Sequence, residues 1–294
     1  MGNLRTALVA WLAARSAGLD FIVRMEDLDR VTSSPAWERR QLADLAAIGL
    51  DWDGDVVRQS ERFDRYRAAL EDVRSSGRAY PCYCTRREIR AEIDAAASAP
   101  HGHVPDGAYP GTCRELTSRD RAQRERLGRA PAWRLRTDGE TLSLTDVIAG
   151  DYTGAVDDFV LERSDEVPAY NLAVVIDDAA QGVTQVVRGD DLLSSTPRHL
   201  LLQQLFGATH PAYGHVPLVV EADGTRLAKR HRAVTLADLS TIGYGPAEVL
   251  SVLAWSLDLA DRGEPVSADQ LIARFDTTRV PKRAVQIDDL FPVP

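Results

Sequence analysis

The sequence predicts an α/β fold with a parallel sheet, on three observations. Residues 4–17 place small and apolar side chains at helical spacing and end before Gly18, which predicts a helix with a glycine C-cap. Residues 21–23 (Phe-Ile-Val) form a short apolar run typical of a buried strand. A second helix is predicted from 33–35 (Ser-Ser-Pro), an N-cap followed by proline, to about Ile48. Helix, strand and helix in this order are typical of a parallel sheet.

Later segments continue this alternation. Residues 133–144 predict a hairpin that turns at Asp138-Gly139. A helix is predicted from 195–197 (Ser-Thr-Pro) to about residue 206, and the chain beyond Leu236 is predicted to be helical and short. Apolar runs predict three further strands, at residues 159–162, 172–176 and 184–187.

The composition is that of a soluble globular protein, with 44% hydrophobic and 27% charged residues. No apolar run approaches the roughly 20 residues that a membrane span needs, and the start lacks the layout of a secretory signal. The net charge of −9 means that contact with RNA would need a local basic patch. Residues 114–136 carry eight arginines and could supply one, although acidic residues alternate with them and a solvated helix is the alternative.

Three cysteines cannot all pair with one another, and two of them, Cys82 and Cys84, are separated by one residue. With Cys113 they favour a metal site in a reducing compartment, and hence a cytoplasmic protein, over a disulfide framework. Three cysteines and one further donor make a tetrahedral zinc site, with free buried cysteines as the alternative. Chemistry leaves three candidates for the fourth ligand: Tyr109, His101 and His103.

A carboxylate follows the first predicted strand. Glu26, within residues 23–30 (Val-Arg-Met-Glu-Asp-Leu-Asp-Arg), would lie at the carboxyl end of a parallel strand, where α/β sheets place ligands. It could bind an ammonium group there, while neighbouring aspartates and arginines hold one another. An ordinary charged turn after an edge strand is the alternative.

An arginine ends another predicted strand. Arg188 presents a rigid fork that matches a carboxylate, and Gly189 lets the backbone approach a ligand closely. Upstream, Tyr170 lies at the entrance to the predicted strand 172–176. An ordinary surface ion pair and a packed tyrosine are the alternatives.

A basic loop follows a turn at Asp223-Gly224. Residues 225–231 (Thr-Arg-Leu-Ala-Lys-Arg-His) could hold phosphate oxygens and stabilise charge that develops during a transfer reaction. Basic loops are also common solvated features, which is the alternative here.

Taken in order, these segments resemble the glutamyl-queuosine tRNA(Asp) synthetases, short relatives of glutamyl-tRNA synthetase, from residue 2 to about residue 239. Residues 227–231 lie where class I synthetases have a Lys-Met-Ser-Lys-Ser loop, and the Cys-x-Cys…Tyr-x-x-x-Cys spacing resembles the family's zinc site, which favours Tyr109 over the histidines. The other matching segments are residues 24–30, 168–170 (Pro-Ala-Tyr), 187–193 (Val-Arg-Gly-Asp-Asp-Leu-Leu) and 195–197.

This resemblance implies a Rossmann-like class I catalytic domain with a zinc-binding insertion and a short helical C-terminal part. It implies that L-glutamate attacks ATP, with Mg²⁺, to form an adenylate, and that the glutamyl group then passes to the queuosine base in the anticodon loop of tRNA(Asp). It implies glutamate binding by Glu26, Tyr170 and Arg188, with Glu26 facing the amino group. ATP would be bound by Gly2, Asn3 and Lys229, Lys229 also being catalytic. One structural zinc would be held by Cys82, Cys84, Tyr109 and Cys113.

The resemblance also implies a domain organisation. The first half of the nucleotide-binding fold covers 1–79, a zinc-binding insertion 80–135, the second half 136–206, and the basic loop with the helical C-terminal part 207–294. After Lys229 only 65 residues remain (294 − 229), too few for a helical anticodon-binding domain. A monomer is expected. A truncated ordinary glutamyl-tRNA synthetase and a non-catalytic zinc-containing tRNA-binding module are the alternatives.

The start of the chain departs from the family pattern. Met1-Gly2-Asn3 stands where the family has His-Leu-Gly-Asn, so the first histidine is absent, as are the first strand and an Arg-Phe-Ala-Pro-Ser segment. We expect a start codon placed too far downstream. The helix at 4–17 would still present its N-terminus toward phosphate.

Overall fold

The computed structural model describes residues 1–29, 33–97, 108–225, 227 and 235–292. The fold is α/β, as predicted. The first elements are α1 (Gly2–Ser16), β1 (Arg24–Met25), α2 (Pro35–Ala47), β2 (Val57–Arg58) and α3 (Phe63–Ser75). Both predicted helices are confirmed.

The first strand begins later than the apolar run at residues 21–23 predicts. Phe21 donates its backbone N–H to the Asp53 carboxylate at 2.9 Å and accepts from the Asp53 backbone at 2.8 Å, which is a loop contact and not a ladder. The parallel pairing of β1 with β2 starts at Arg24, opposite Val57. Glu26 therefore comes directly after the strand, as predicted.

The middle of the chain is largely antiparallel. Its elements are β3 (Ala79–Cys82), α4 (Arg86–Ala97), α5 (Ser118–Arg126), β4 (Ala132–Leu135), β5 (Thr141–Asp146), β6 (Gly150–Ala155) and β7 (Val160–Glu162). Strand β4 lies between β3 and β7, and β5 pairs with β6. The strand predicted at residues 159–162 is confirmed by β7.

The predicted hairpin at residues 133–144 is wrong. Leu135 donates its backbone N–H to Phe159 at 2.9 Å and Arg136 donates to Arg78 at 2.7 Å, so both pair with distant segments. The hairpin forms one strand later, because the Asp146 carboxylate accepts from the backbone of Ile148 and Ala149, at 2.9 and 2.7 Å, and closes the turn there.

The last third returns to parallel pairing. Its elements are α6 (Tyr170–Gln181), β8 (Gln185–Gly189), α7 (Thr196–Phe206), β9 (Ala212–Val216), β10 (Val219–Val220), α8 (Leu236–Ser240), α9 (Pro246–Trp255), α10 (Ala268–Ile272), β11 (Val285–Gln286) and α11 (Ile287–Leu290). Strand β8 pairs with β9, and β10 with β11. The strand predicted at 184–187, the helix after 195–197 and the short C-terminal helices are confirmed.

The predicted strand at residues 172–176 is wrong, since these residues lie within α6. An apolar run of five residues suits a buried strand and a buried helix equally well. The length and the C-cap of the element identify it as a helix, because α6 has twelve residues and ends at Gly182 in the left-handed conformation.

Two large apolar cores enclose the strands. Leu8 and Leu12 of α1 are fully buried in a core shared with the C-terminal helices, and α1 packs on β8. A second core joins α3, α6 and α7, with Leu161 and Leu202 fully buried. Strand β8 is therefore held between α1 and the α6–α7 layer. Among the described helices none is both long and apolar enough to cross a bilayer.

Candidate active site and metal centre

The structure brings the three predicted amino-acid-binding residues close to one another. Glu26 follows β1, Tyr170 begins α6 and Arg188 lies in β8. The Nη1 group of Arg188 donates to the Tyr170 hydroxyl at 3.4 Å. The charge of Arg188 acts on Glu26, and the charge of Glu26 acts on the Tyr170 hydroxyl. Side chains from the end of β1, the start of α6 and β8 thus lie near one another, and we call this group of residues the Glu26–Arg188 cleft.

Arg24 and Asp178 support one wall of the cleft. The Nη2 group of Arg24 lies 2.8 Å from the Asp178 carboxylate and 3.7 Å from that of Glu26, while Nη1 donates to Gln181 at 2.9 Å. Arg24 therefore ties the end of β1 to α6 and limits where Glu26 can point. Asp178 shares a face of α6 with Tyr170, two turns away. Sequence reasoning missed Asp178, because it placed a strand where α6 lies.

The electrostatics of the cleft suit a ligand with both signs of charge. Partial loss of hydration raises the pKa of Glu26. The nearby Asp178 charge adds to this rise, whereas the charges of Arg24 and Arg188 oppose it. The Glu26 side chain is still 43% exposed. Burial, and then the Glu26 charge, raises the pKa of Tyr170 to about 12. The tyrosine hydroxyl thus keeps its proton at neutral pH and can donate a hydrogen bond.

Arg188 is 8% exposed and uses all five of its N–H donors within the protein. Three short bonds go to His215 Nε2 at 3.0 Å, His199 Nδ1 at 3.1 Å and Thr196 Oγ1 at 2.9 Å. Two bonds of 3.4 Å go to the Tyr170 hydroxyl and the Leu192 carbonyl. None of these acceptors is a carboxylate, so no bonded group neutralises the guanidinium.

The two histidines beside Arg188 are functional candidates that sequence reasoning missed. His199 lies in α7 and His215 in β9, where it is directly opposite Arg188 in the parallel register. Burial and the neighbouring Arg188 hold the pKa of His199 well below its usual range. No local motif marks either residue, because each is the single histidine of its element.

The N-terminus of α1, where Gly2 and Asn3 lie, is anchored close to β10. A Cβ atom added to Gly2 would lie 3.9 Å from that of Val219. Arg5 is 1% exposed and donates to the Pro217 carbonyl at 2.8 Å, and burial lowers its pKa to about 10. Backbone amides at a helix start bind anions. The chain between 216 and 225 thus leads from this helix start into the predicted phosphate loop.

The turn predicted at Asp223-Gly224 is confirmed. The Asp223 carboxylate accepts from the backbone and the hydroxyl of Thr225, at 2.9 and 2.6 Å, and Gly224 adopts a positive φ of 80°. The predicted catalytic residue Lys229 lies outside the described residues.

The three cysteines converge, with their Sγ atoms within 4.8 Å of one another. Cys84 Sγ lies 3.4 Å from Cys113 Sγ, and the Tyr109 hydroxyl lies 3.3 Å from Cys82 Sγ and 3.7 Å from Cys84 Sγ. Ligands of a tetrahedral zinc with three Zn–S bonds and one Zn–O bond lie about 3.5 to 3.8 Å apart. The donor set therefore fits zinc, with Tyr109 as fourth ligand; the rivals His101 and His103 lie outside the described residues.

The cysteine cluster is linked to α7. Asp157 accepts from the Tyr109 backbone at 3.1 Å and from Arg198 Nε at 2.8 Å. Arg134 places its guanidinium carbon 3.7 Å from the centre of the Tyr109 ring. Arg198 precedes His199, so the cysteine cluster and the Glu26–Arg188 cleft share one helix as support.

The arginine-rich segment at residues 114–136 divides into two groups. Four of its arginines bond within the fold, for example Arg114 to Asp158 at 2.7 Å and Arg136 to Glu115 at 2.8 Å. The other four lie on α5, at positions 119, 121, 124 and 126. Any basic patch here is thus smaller than the sequence alone indicates.

The family follows from comparison with known proteins. Residues 1–290 match the model of the family described as tRNA synthetases class I (E and Q), catalytic domain. The chain therefore belongs to the class I tRNA synthetases of the glutamate and glutamine type.

Two relatives bear the name glutamyl-Q tRNA(Asp) synthetase, which confirms the predicted family. The protein of Nocardia farcinica is 57% identical over 96% of this chain and 87% of its own length. That of Symbiobacterium thermophilum is 49% identical over 98% of this chain and 91% of its own length. A solved glutamate tRNA ligase of Elizabethkingia meningosepticum, in complex with its amino acid, superposes with a TM-score of 0.79 at 28% identity. This chain covers 64% of that longer protein, which in turn covers 97% of this chain.

Proposed function

We propose that this protein activates L-glutamate with ATP as glutamyl-adenylate and transfers the glutamyl group to the queuosine base in the anticodon loop of tRNA(Asp). The convergence of Glu26, Tyr170 and Arg188 in one cleft carries the first half of the proposal. The names of the two glutamyl-Q tRNA(Asp) synthetases support the acceptor.

Each residue of the cleft has a part in this reaction. Arg188 binds the side-chain carboxylate of glutamate, because none of its bonded partners carries a compensating charge. Glu26 accepts a hydrogen bond from the ammonium group of glutamate, and the Tyr170 hydroxyl donates a hydrogen bond to glutamate. Attack by a carboxylate on the α-phosphate of ATP needs little acid–base help, so positioning and charge stabilisation supply the rate.

ATP, with Mg²⁺, is assigned to the start of α1, which packs on β8, and to the basic loop. Gly2 and Asn3 offer the backbone amides of the start of α1 to phosphate oxygens. Lys229, in the basic loop of the sequence, is assigned the role of stabilising the charge that passes to pyrophosphate.

Glutamate-dependent exchange of pyrophosphate into ATP, without tRNA, tests the activation step. The 294-residue chain and a chain extended upstream in frame are assayed together, with aspartate and glutamine as control amino acids. Exchange with glutamate by either chain is expected. Its absence from both would reject the proposal in favour of a non-catalytic tRNA-binding module, which predicts salt-sensitive tRNA binding without adenylate.

The acceptor is tested with labelled glutamate and three tRNAs. Labelling of tRNA(Asp) that contains queuosine, and not of tRNA(Asp) that lacks it, is expected. Labelling of tRNA(Glu) at its 3′ end would instead assign the chain to ordinary glutamyl-tRNA synthetases. The likeness to the Elizabethkingia ligase is the reason to test this alternative.

Lys229→Ala is expected to lower pyrophosphate exchange at least about 100-fold, since removal of one group that stabilises developing charge costs about that much. Lys282→Ala is the matched control, because Lys282 is exposed and is the only other lysine of the chain. Binding of tRNA by both variants is measured by filter retention. Equal exchange by the two alanine variants would remove Lys229 from the reaction.

The cysteine cluster is proposed to hold one structural zinc through Cys82, Cys84, Tyr109 and Cys113. The interatomic distances and burial of these donors support the set. Zinc would fasten the insertion at residues 80–135, in which only a small core surrounds the cysteines. The same proposal includes a monomeric state and domain boundaries at residues 79, 135 and 206. It also includes a cytoplasmic location, because ATP and tRNA are found there.

Metal analysis of the purified protein is expected to find about one zinc per chain. Cys84→Ser and Tyr109→Phe remove proposed donors and should lose or weaken the metal, measured by competition with a chromogenic chelator. Tyr83→Phe is the matched control, because the Tyr83 hydroxyl donates to Glu125 at 2.6 Å and not to the cluster. Full zinc content in Cys84→Ser would refute the site, whereas full content in Tyr109→Phe alone would shift the fourth position to another donor.

A further inference from the structure

Three of the residues that bond to Arg188 are buried and carry no role in the proposed chemistry. His199 and His215 are each 1% exposed and Thr196 is fully buried. Their acceptor atoms lie 2.9 to 3.1 Å from the three guanidinium nitrogens. We call these three residues the Arg188 cage.

The cage fixes the protonation of both histidines. An arginine only donates, so His199 Nδ1 and His215 Nε2 must both accept. The opposite ring nitrogens then carry the protons: His199 Nε2 donates to Asn171 Oδ1 at 2.9 Å, and His215 Nδ1 donates to Asp146 Oδ2 at 2.5 Å. Both rings are therefore neutral and are opposite tautomers. A second proton on either ring would set an N–H group against an N–H group of Arg188.

The cage also decides which edge of the guanidinium faces the ligand. The His215 and Thr196 acceptor atoms lie 3.2 Å apart and together occupy the edge formed by Nε and Nη2. The edge formed by Nη1 and Nη2 keeps the two 3.4 Å contacts, to the Tyr170 hydroxyl and the Leu192 carbonyl. A carboxylate can replace both weak contacts with two charge-assisted bonds.

A carboxamide cannot bind this edge in the same way. It offers one oxygen and one NH₂ group, and the NH₂ would face an N–H of a group that cannot accept. A positive charge surrounded by neutral acceptors also attracts a carboxylate in preference to a neutral amide. The arrangement thus discriminates glutamate from glutamine only while the guanidinium is held in this orientation.

We propose that His199 and His215 are positioning residues which, as neutral acceptors, hold Arg188 with its outer edge toward the side chain of the substrate and so set the preference for glutamate over glutamine. The inference rests on the proposed function, because it takes Arg188 as the residue that binds the side-chain carboxylate. Asn171 and Asp146 act one step further out, by fixing the tautomer of each ring.

The test compares two replacements of His199. His199→Leu removes the acceptor, whereas His199→Asn keeps an oxygen near the former Nδ1. Pyrophosphate exchange is measured with glutamate and with glutamine, at varied ATP. His199→Leu is expected to raise KM for glutamate about 10- to 100-fold, since it leaves a buried charged donor unsatisfied. Its KM for ATP should stay within about 3-fold and its preference for glutamate over glutamine should fall about 10-fold, on the same grounds.

His199→Asn is expected to restore KM and the preference to within about 5-fold of the original protein, because the lost bond is replaced. A second pair of variants, His215→Leu and His215→Gln, makes the same comparison. The leucine removes the acceptor, whereas the glutamine amide oxygen lies near the former Nε2. His210→Leu is the control, since His210 is exposed and bonds to Gln203 at 2.8 Å. Thermal melting of every variant separates loss of fold from loss of positioning.

Equal KM for glutamate in His199→Leu and His199→Asn, or an equal rise of KM for ATP, would overturn the inference and leave a merely structural histidine. Absence of exchange from both the unaltered 294-residue chain and the unaltered extended chain would defeat the proposed function instead. In that case calorimetric binding of glutamate and glutamine to the same variants decides the inference by the same comparison.

Discussion

Arg188→Lys is expected to lower kcat/KM for glutamate activation about 100- to 1000-fold, the largest catalytic effect we foresee outside the basic loop. A lysine could not offer two parallel N–H groups to a carboxylate, and it would leave acceptors of the cage without donors. Truncating one partner of a buried charge pair costs about 2 to 5 kcal/mol, or about 30- to 5000-fold, and the expected loss lies within these limits.

Pyrophosphate exchange at varied glutamate and ATP measures this effect. Arg163→Lys is the matched control, because Arg163 is exposed and its one ion pair among the described residues is with the nearby Asp165, at 2.6 Å. The control should retain its activity. If Arg188→Lys kept its kcat/KM for glutamate within about 3-fold, a loss too small for a broken buried pair, the side-chain carboxylate would have to bind elsewhere.

Asp158→Asn is expected to lower the free energy of unfolding by about 2 to 4 kcal/mol at pH 7, since a buried carboxylate with several partners loses its charge. Asp158 is 5% exposed and accepts from the Tyr80 hydroxyl at 2.6 Å, the Thr137 backbone at 2.8 Å and Arg114 at 2.7 Å. These bonds join the residues just before β7 to β3, to the chain after β4 and to the residue that follows Cys113. The asparagine would turn an NH₂ group toward at least one of these donors.

The difference between Asp158→Asn and the unaltered protein should depend on pH. Burial alone would raise the pKa of Asp158, but the bonds from Tyr80, Thr137 and Arg114 outweigh it and lower the pKa. A lowered pKa means that the stabilisation is complete above about pH 4, the ordinary value for aspartate, and is lost as pH falls through the folded-state pKa. The two proteins should therefore converge in stability under acid.

Urea unfolding between pH 7 and pH 3, with zinc held constant, measures this convergence. Asp151→Asn is the control, because Asp151 is exposed and accepts only from Thr145 among the hydrogen bonds seen, at 2.8 Å. It should change the unfolding free energy by less than about 0.5 kcal/mol. A stability difference for Asp158→Asn that stayed constant down to pH 3 would show that the charge is not what stabilises this junction.

Much of the candidate site could be predicted from residues at strand ends. Glu26 and Arg188 end parallel strands, and the carboxyl ends of such strands are where α/β folds place ligands. The cysteine spacing likewise predicted three thiols that the structure brings together. Tyr170 came into the prediction through the family resemblance, although the strand expected to follow it is a helix.

The residues that support the site could not be predicted in this way. Asp178 reaches Arg24 only because residues 170–181 form a helix, and a five-residue apolar run does not distinguish a helix from a strand. His199 and His215 meet at Arg188 only through the packing of α7 on the β8–β9 pair. The incorrect hairpin at residues 133–144 has the same origin, since β4 pairs with strands that are distant in the chain.

By itself the sequence determined the class of fold, and local periodicity, residue chemistry and short spacing marked Glu26, Arg188 and the three cysteines as candidates. The family resemblance supplied their roles and added Tyr170. The tertiary structure alone decided how Arg188 is oriented, which tautomers its histidines adopt and which strands β4 joins. These features depend on hydrogen bonds between groups far apart in the chain, and a buried donor finds its acceptor only once the elements have packed.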